Sequence, residues 1–276
     1  MASAEFLNRR VIAISGPERH GFLQGLITND IAECQSGRAI YAGLLTPQGK
    51  LLFDFFITPV GDELWLDCAA ATIADLTRRL NFYRLRAQVT IAAKPELSIC
   101  AVWGDEQRAA DAGLVTFPDP RLTELGVRII GLRGPIEQKI AGFAPGNYRA
   151  HRISLGVPDS EDLPPDQVFA LDAGFEELHG VSFSKGCYVG QEVTSRMKHR
   201  ATARRRFLTV EAGQAIAPGA AIDAGGLELG RVTSAVGNTG LALVRIDRFA
   251  DAEQNAVPIS AAGAPVTLRR PGWLHV

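Results

Sequence analysis

Apolar positions in the first part of the chain switch between the spacing of strands and the spacing of helices. Residues 11–15 form a short apolar run that predicts a strand, and the apolar residues between 22 and 27 recur at helical intervals. Two β-rich segments flank Pro47-Gln48-Gly49-Lys50, where proline and glycine occupy positions that a tight turn favours. With a further strand after the turn at Gly61-Asp62, residues 39–68 predict a three-stranded antiparallel meander.

Mixed helix and strand patterns continue to residue 141, after which the pattern becomes β-rich near the C-terminus. Further helices are predicted near residues 72–85, 105–112, 134–141 and 190–200, and further strands near 87–92, 97–103 and 126–131. Residues 156–170 contain three prolines and several acids, which predicts an extended loop. Beyond residue 203, short strands separated by glycine-containing turns are typical of a small sandwich or barrel. The pattern therefore predicts an α+β fold divided into residues 1–202 and 203–276.

Composition and charge narrow the class of protein. The 276 residues are 46% hydrophobic and 21% charged, which argues against global disorder. A formal net charge of −1 creates no overall field that would attract nucleic acid or a membrane. No apolar run is long enough for a transmembrane helix, and the first residues lack the apolar core of a secretory signal. We therefore expect a cytoplasmic protein with reduced thiols.

Cys187 is the cysteine with the most reactive surroundings in the sequence. No cysteine lies in a CxxC pair, which argues against a zinc ribbon or a thioredoxin-like redox pair. Cys187 lies between Gly186 and Tyr188, just before the helix predicted at 190–200, and Lys185 adds a cation. A helix N-terminus and a nearby cation both favour the thiolate, although a buried, inert cysteine is the alternative interpretation. Simple packing is the interpretation we favour for the other three cysteines, Cys34, Cys68 and Cys100.

The segment Lys185-Gly-Cys-Tyr-Val-Gly-Gln-Glu192 resembles the signature of the YgfZ family of folate-binding proteins. This family is related to the T-protein of the glycine cleavage system, an aminomethyltransferase. The resemblance also includes Arg196, and it extends to residues 22–31, to the turn at 46–50 and to residues 152–158. It therefore covers most of the first 200 residues, while the C-terminal β region fits only in type.

The resemblance implies a T-protein-like fold with two interleaved α+β subdomains and a C-terminal β-barrel around a cavity that binds tetrahydrofolate. It also implies an accessory role in the assembly or repair of iron–sulfur clusters in client enzymes, which indirectly supports tRNA modification. Cys187 matches the essential cysteine of the family. It would serve as a redox thiol or as a ligand of a transient 2Fe–2S cluster shared with an A-type iron–sulfur carrier protein. Neither a membrane nor direct nucleic-acid binding is expected.

The sequence departs from the T-protein at two positions that matter for catalysis. T-proteins carry two adjacent acids where this chain has Phe53-Asp54, and the first acid is the one that their chemistry needs. Phenylalanine cannot act as a general acid or base. A glutamate that binds pterin in T-proteins falls on Ser154. Both differences favour a non-enzymatic assembly factor over the alternative, a folate-dependent aminomethyltransferase.

A bound folate needs an aromatic or apolar surface for its pterin and cations for its glutamate tail. Tyr148 would stack on the ring, Arg152 would hold a carboxylate through two hydrogen bonds, and Asn29 with Asp30 would bond pterin nitrogens. A half-buried tyrosine, a surface arginine and a turn pair at a helix end are the alternative interpretations. The full set of predicted contacts is Asn29, Asp30, Tyr148, Arg152, Tyr188, Gln191, Glu192 and Arg196.

Residues 196–206 form a basic run with six arginines and lysines. The run would suit an anionic partner such as a polyglutamyl tail, RNA or an acidic protein. A solvated helix end and linker is the interpretation we favour, because the interleaved aromatic residues of single-strand binders are missing. An RNA-binding module is therefore the third hypothesis for the function.

Overall fold

The computed structural model describes residues 2–104, 113–201 and 203–275, so the helix predicted near 105–112 lies outside the described residues. The strands, in chain order, are β1 (Ser3–Leu7), β2 (Arg9–Ser15), β3 (Ile40–Leu45), β4 (Leu51–Val60), β5 (Glu63–Ala69), β6 (Thr90–Lys94), β7 (Leu97–Trp103), β8 (Val115–Pro118), β9 (Val127–Leu132), β10 (Ala144–Pro145), β11 (Arg205–Ala212), β12 (Ala221–Ala224), β13 (Leu227–Val236), β14 (Thr239–Arg245), β15 (Ile259–Ala261) and β16 (Ala264–Arg269). The helices are α1 (Arg19–Gln24), α2 (Ile73–Arg84), α3 (Arg133–Lys139), α4 (Tyr148–Ser154), α5 (Gln191–His199) and α6 (Ile246–Gln254). Within the described residues, no helix is both long and apolar enough to span a membrane.

The first sheet contains the predicted meander. It is antiparallel, with five strands in the order β3-β4-β5-β2-β6. Gly49 has a φ of +80° in the turn between β3 and β4, a conformation that glycine adopts without strain. One face of the sheet is covered by α1 and α2, which contribute buried leucines such as Leu23 and Leu76. The hairpin and the α2 helix were both predicted from the apolar pattern.

The second sheet draws its strands from distant parts of the chain. Its order is β10-β1-β7-β9-β8, so β1 lies in the interior of the sheet. β1 pairs antiparallel with β7, where Ser3 faces Trp103, and parallel with β10, where Ser3 faces Ala144. Because β1 joins the second sheet and β2 joins the first, the two α+β subdomains are interleaved as the resemblance implied.

The two sheets and the C-terminal barrel share one hydrophobic cluster. Phe56 of β4, Ile130 of β9 and Phe207 of β11 are all buried in it. The barrel is closed, in the order β11-β14-β13-β12-β15-β16, and its interior packs against Phe249 of α6. The α+β fold with a C-terminal β-barrel is therefore confirmed. The helix α6 is an addition, because the sequence beyond residue 203 was interpreted as strands alone.

Candidate functional site

The four cysteines all lie within the described residues, and Cys187 is the only one that is exposed. Cys68 and Cys100 are buried in the first and second sheets. Cys34 is half-buried, and its thiol donates a hydrogen bond to the carbonyl of Ile57 at 3.3 Å. Burial raises the pKa of Cys34, Cys68 and Cys100 to about 12. Cys187 is therefore the thiol that a partner can reach.

The segment that leads to Cys187 is fixed to the residues that follow α1. Thr28 Oγ1 donates to the carbonyl of Gly180 at 2.6 Å, and the Ser182 amide donates to the Thr28 carbonyl at 3.0 Å. These bonds hold the polypeptide against the first sheet. The loop that carries Cys187, residues 183–190, therefore begins at a fixed position, and we call it the cysteine loop.

Lys185 anchors the same loop through its side chain. Its Nζ donates to the carbonyl oxygens of Gln24 and Ile27, both at 2.6 Å. Burial lowers the pKa of Lys185 to about 8, and the nearby Asp30 opposes that shift. The sequence suggested that this cation would favour the Cys187 thiolate. In the structure the ammonium binds at the end of α1 and so holds the loop in place, and its effect on the thiol stays a prediction.

The loop ends at Gly190, which packs against the hairpin turn. Gly190 has a φ of +84°, and a Cβ at this position would lie 2.6 Å from the Thr46 carbonyl oxygen. Next to it, Tyr188 is buried and Val189 packs against the hydrophobic cluster beneath α1 and α2. Helix α5 starts immediately after Gly190. The exposed Cys187 thus lies between two anchored points.

The two folate contacts predicted at the end of the first helix are engaged within the chain. Asn29 Nδ2 donates to the carbonyls of Tyr41 and His179, both at 2.8 Å. The Asp30 carboxylate accepts from the Ala32 amide and from Gln24 Nε2, both at 3.0 Å. These groups stabilise the turn after α1, and that turn pair is the interpretation that the structure supports.

Tyr148 and Arg152 lie elsewhere, beside a cavity of about 500 Å³ between β1, β2 and α4. Arg152 is buried; it donates to Asp162 Oδ2 at 2.7 Å and also pairs with Glu161. The Tyr148 hydroxyl lies 3.3 Å from Asp119 Oδ2. The Arg152 guanidinium is thus paired with acids of the chain itself, and its contact with a ligand carboxylate stays a prediction.

The remaining predicted contacts lie on or next to α5. Tyr188 is buried, Gln191 is half-buried, and Glu192 and Arg196 are exposed. The structure therefore divides the predicted folate contacts among the turn after α1, the cavity beside α4 and the helix α5.

A buried ionic network at the interface of the two sheets was not predicted. Arg128 Nη1 donates to Asp67 Oδ2 at 2.7 Å, and its Nε donates to Asp119 Oδ2 at 3.1 Å. Asp119 also binds Arg121 through two hydrogen bonds. The Arg128 guanidinium lies 3.8 Å above the Phe56 ring, a cation–π contact that joins the two sheets. No single stretch of sequence contains this network, because its members belong to four separate segments.

The basic run after Cys187 is partly neutralised. Lys198 pairs with Glu176, and Arg206 lies 3.8 Å from Glu177. Arg204 and Arg205 are exposed and border a cavity of about 360 Å³ with Lys50. Among the described residues, no group of three histidine, cysteine or acidic side chains converges as a metal site would require.

Comparison with known structures extends the fold assignment. The chain resembles the crystal structure of glycine cleavage system aminomethyltransferase T from Bartonella henselae with a TM-score of 0.73. The similarity covers 89% of this chain and 79% of that one, at 17% sequence identity, so it concerns the fold alone. Residues 204–276 match the family model of the CAF17 C-terminal beta-barrel domain.

Sequence comparison finds relatives at higher identity. The chain is 31% identical over 272 residues to human "Iron-sulfur cluster assembly factor IBA57, mitochondrial", which covers 86% of this chain and 75% of the human protein. It is 29% identical to the IBA57 homologue of Coccidioides immitis, over 89% of this chain and 71% of that protein. These relatives are named mitochondrial, which contradicts the prediction of a cytoplasmic protein. The chain belongs to the family of IBA57 iron–sulfur cluster assembly factors.

Proposed function

We propose that this protein is an iron–sulfur cluster assembly factor that presents Cys187 to a cluster held by a partner protein. The observation that carries the proposal is the position of Cys187, the exposed cysteine, on a loop anchored on both sides. The names of its relatives support the same process. Through client iron–sulfur enzymes, this role would indirectly support tRNA modification.

The chemistry of the proposed step needs a sulfur that can reach iron. Thiolate sulfur binds iron in 2Fe–2S clusters, which take four protein ligands. Cys187 would lose its proton and supply one ligand, and an A-type carrier protein would supply the others. Gly186 has a φ of +95° and open space around its α-carbon, so the chain beside the thiol leaves room for a partner.

The test mixes the purified protein anaerobically with an A-type carrier loaded with a 2Fe–2S cluster, with and without tetrahydrofolate. Visible absorption and circular dichroism report the cluster. We expect a new cluster spectrum with the wild type and with Cys34→Ser, a half-buried cysteine that serves as the matched control, but not with Cys187→Ser. A spectrum that forms equally with Cys187→Ser would exclude ligation by this thiol and leave its redox chemistry to be measured.

Tetrahydrofolate binding at the cavity beside α4 is a second part of the proposal. The cavity beside α4 has a volume in the range of small-molecule sites. The predicted contacts do not fit the ligand as one set, because they lie in separate places and several are engaged within the chain. Equilibrium titration of tetrahydrofolate against the wild type and Tyr148→Leu, which removes the aromatic ring, tests stacking at this cavity. An unchanged affinity for tetrahydrofolate in the variant would exclude a binding site that includes Tyr148.

The alternative function, a folate-dependent aminomethyltransferase, is tested by direct measurement of methylenetetrahydrofolate formed from an aminomethyl donor. Phe53 occupies the position of the first T-protein acid and is half-buried on β4. It cannot exchange a proton. We therefore expect no turnover above the rate in buffer, and clear turnover would favour the enzyme over the assembly factor.

A further inference from the structure

The exposed side of α2 carries the two most exposed large hydrophobic side chains of the described residues. Phe82 is 70% exposed and Leu85, which directly follows the helix, is 86% exposed. They are three residues apart in sequence, at the C-terminal end of α2. Exposed large apolar surface of this kind marks a candidate interaction site.

Leu85 also has an unusual backbone conformation. Its φ is +46° and its ψ is −107° at the end of α2, where glycine or asparagine normally terminates a helix. A β-carbon makes positive φ costly, and the Leu85 side chain gains no burial in return. No contact among the described residues therefore explains a leucine at this position.

Positive charge surrounds these two side chains. Arg78 pairs with Asp75 at 2.7 Å. Arg79, Arg84 and Arg86 form no ion pair with any described residue, and all three are exposed. The formal net charge of the whole chain is only −1, so this cluster is a local feature.

A groove of mixed character lies beside the same helix. Its volume is about 380 Å³, and its apolar lining comes from Leu52, Phe53, Pro165 and Phe82. Its polar lining comes from Thr72, Arg79 and the paired Arg78 and Asp75, so Arg79 is its one cation without an ion pair to a described residue. A side chain that entered the groove would contact hydrophobic surface while its neighbours met the arginines.

We propose that α2, its terminal Leu85 and this groove form a docking surface for a protein partner with an acidic, amphipathic segment. Apolar side chains of the partner would pack on Phe82 and Leu85 and enter the groove, and its carboxylates would pair with Arg79, Arg84 and Arg86. Charge complementarity selects the acidic partner, because the unpaired groups at the surface are guanidinium groups, which bind carboxylates through two hydrogen bonds. This surface is separate from Cys187 and does not depend on its role.

The test uses a short fluorescein-labelled helical peptide in which glutamate and leucine recur at helical spacing. Fluorescence anisotropy should show binding to the wild type that weakens as salt is added. The double variant Phe82→Ser/Leu85→Ser should bind about tenfold more weakly, because burial of a large apolar side chain is lost. Leu227→Ser is the matched control, since Leu227 is 50% exposed on β13 of the barrel and lies outside the docking surface.

A charge-swap experiment tests the electrostatic half of the proposal. Arg79→Glu/Arg84→Glu/Arg86→Glu should lose the acidic peptide and bind a version with lysine in place of glutamate. Melting curves with circular dichroism verify that these surface variants stay folded. Equal peptide affinity in the wild type and both variants would overturn the proposal. Binding of phosphatidylserine vesicles without binding of the acidic peptide would also overturn the proposal. So would analytical sedimentation that showed the docking surface to mediate only self-association.

Discussion

Lys185 and Gln24 exchange hydrogen bonds in both directions. The Lys185 ammonium donates to the Gln24 carbonyl at 2.6 Å, and Gln24 Nε2 donates to the Lys185 carbonyl at 3.2 Å. Gln24 Oε1 also accepts from the Ile31 amide at 2.9 Å. One glutamine at the end of α1 therefore joins the cysteine loop to the turn that follows the helix. The position of Cys187 depends on a residue more than 160 positions earlier in the chain.

Replacement of this glutamine should loosen the loop. Gln24→Ala removes side-chain hydrogen bonds to Lys185, Asp30 and Ile31, and we expect a loss of about 1–3 kcal/mol in unfolding free energy. Amide hydrogen exchange in residues 183–190 should become faster. Gln138→Ala, at an exposed position on α3, is the matched control and should change neither quantity. Unaltered exchange in the Gln24 variant would show that the loop is held by other contacts.

Lys185 should give the protein a pH-dependent stability above neutrality. Burial lowers its pKa to about 8, whereas an unfolded chain keeps the ordinary value of about 10.4. Between these values the unfolded chain holds the proton and the folded protein has released it, so stability relative to Lys185→Met rises with pH across this window. Below pH 8 both states are protonated and the difference should be constant. Denaturant titrations of both proteins from pH 7 to about 10.5 measure the difference in their unfolding free energies. A difference that did not change with pH would contradict a lowered pKa of Lys185.

The two glycines that flank Cys187 should respond differently to an added methyl group. Gly190→Ala forces both a positive φ and contact with the Thr46 carbonyl, whereas Gly186→Ala forces only the positive φ. We expect Gly186→Ala to cost about 1 kcal/mol and Gly190→Ala to cost about 1–3 kcal/mol more. Chemical denaturation measures both values. Similar losses of unfolding free energy in the two variants would mean that the hairpin turn at Thr46 shifts without cost to make room for the added methyl group.

Asp119 should control stability at acid pH. Burial alone would raise its pKa, but Arg121 and Arg128 lower it to about 2. The carboxylate therefore contributes stability above its unfolded pKa of about 4, and this contribution is lost as the pH falls from about 4 to about 2. Asp119→Asn should cost about 3–5 kcal/mol at neutral pH, because it leaves buried arginines without their partner.

The control for this prediction is an acid with the same pKa in a different setting. A hydrogen bond from Arg245 lowers the pKa of Asp247 to about 2, but that pair is exposed. Asp247→Asn should therefore change stability little, since exposed ion pairs contribute little. Equal losses of unfolding free energy in Asp119→Asn and Asp247→Asn would show that burial does not make the Asp119 carboxylate more stabilising.

Local signals in the sequence were sufficient for much of the fold. The hairpin around Gly49 and the helix α2 follow from turn residues and from apolar spacing that the structure preserves. The helix α6 was missed although Phe249 and Ala252 have helical spacing, because the strands around it dominated the interpretation. The division at residues 202 and 203 stays a prediction.

Side-chain roles were harder to predict, because they depend on partners that the sequence does not place. Arg152 resembles a free cation until folding brings Asp162 within 2.7 Å. The hydrogen bonds of Lys185 to the end of α1 were likewise not predictable, because they join residues far apart in sequence. The prominence of Cys187 itself came from a local motif, and its exposure agrees with a role at the surface.

The place of β1 inside the second sheet has a consequence for synthesis. Ser3 pairs with Trp103 on one side and with Ala144 on the other. A growing chain releases β1 well before β7 and β10, so β1 must wait until β10 at Ala144–Pro145 has emerged before both neighbours exist. Pairings between such distant segments slow folding and leave strand edges open to association. The nascent protein should therefore need protection at β1, long before the barrel has been made.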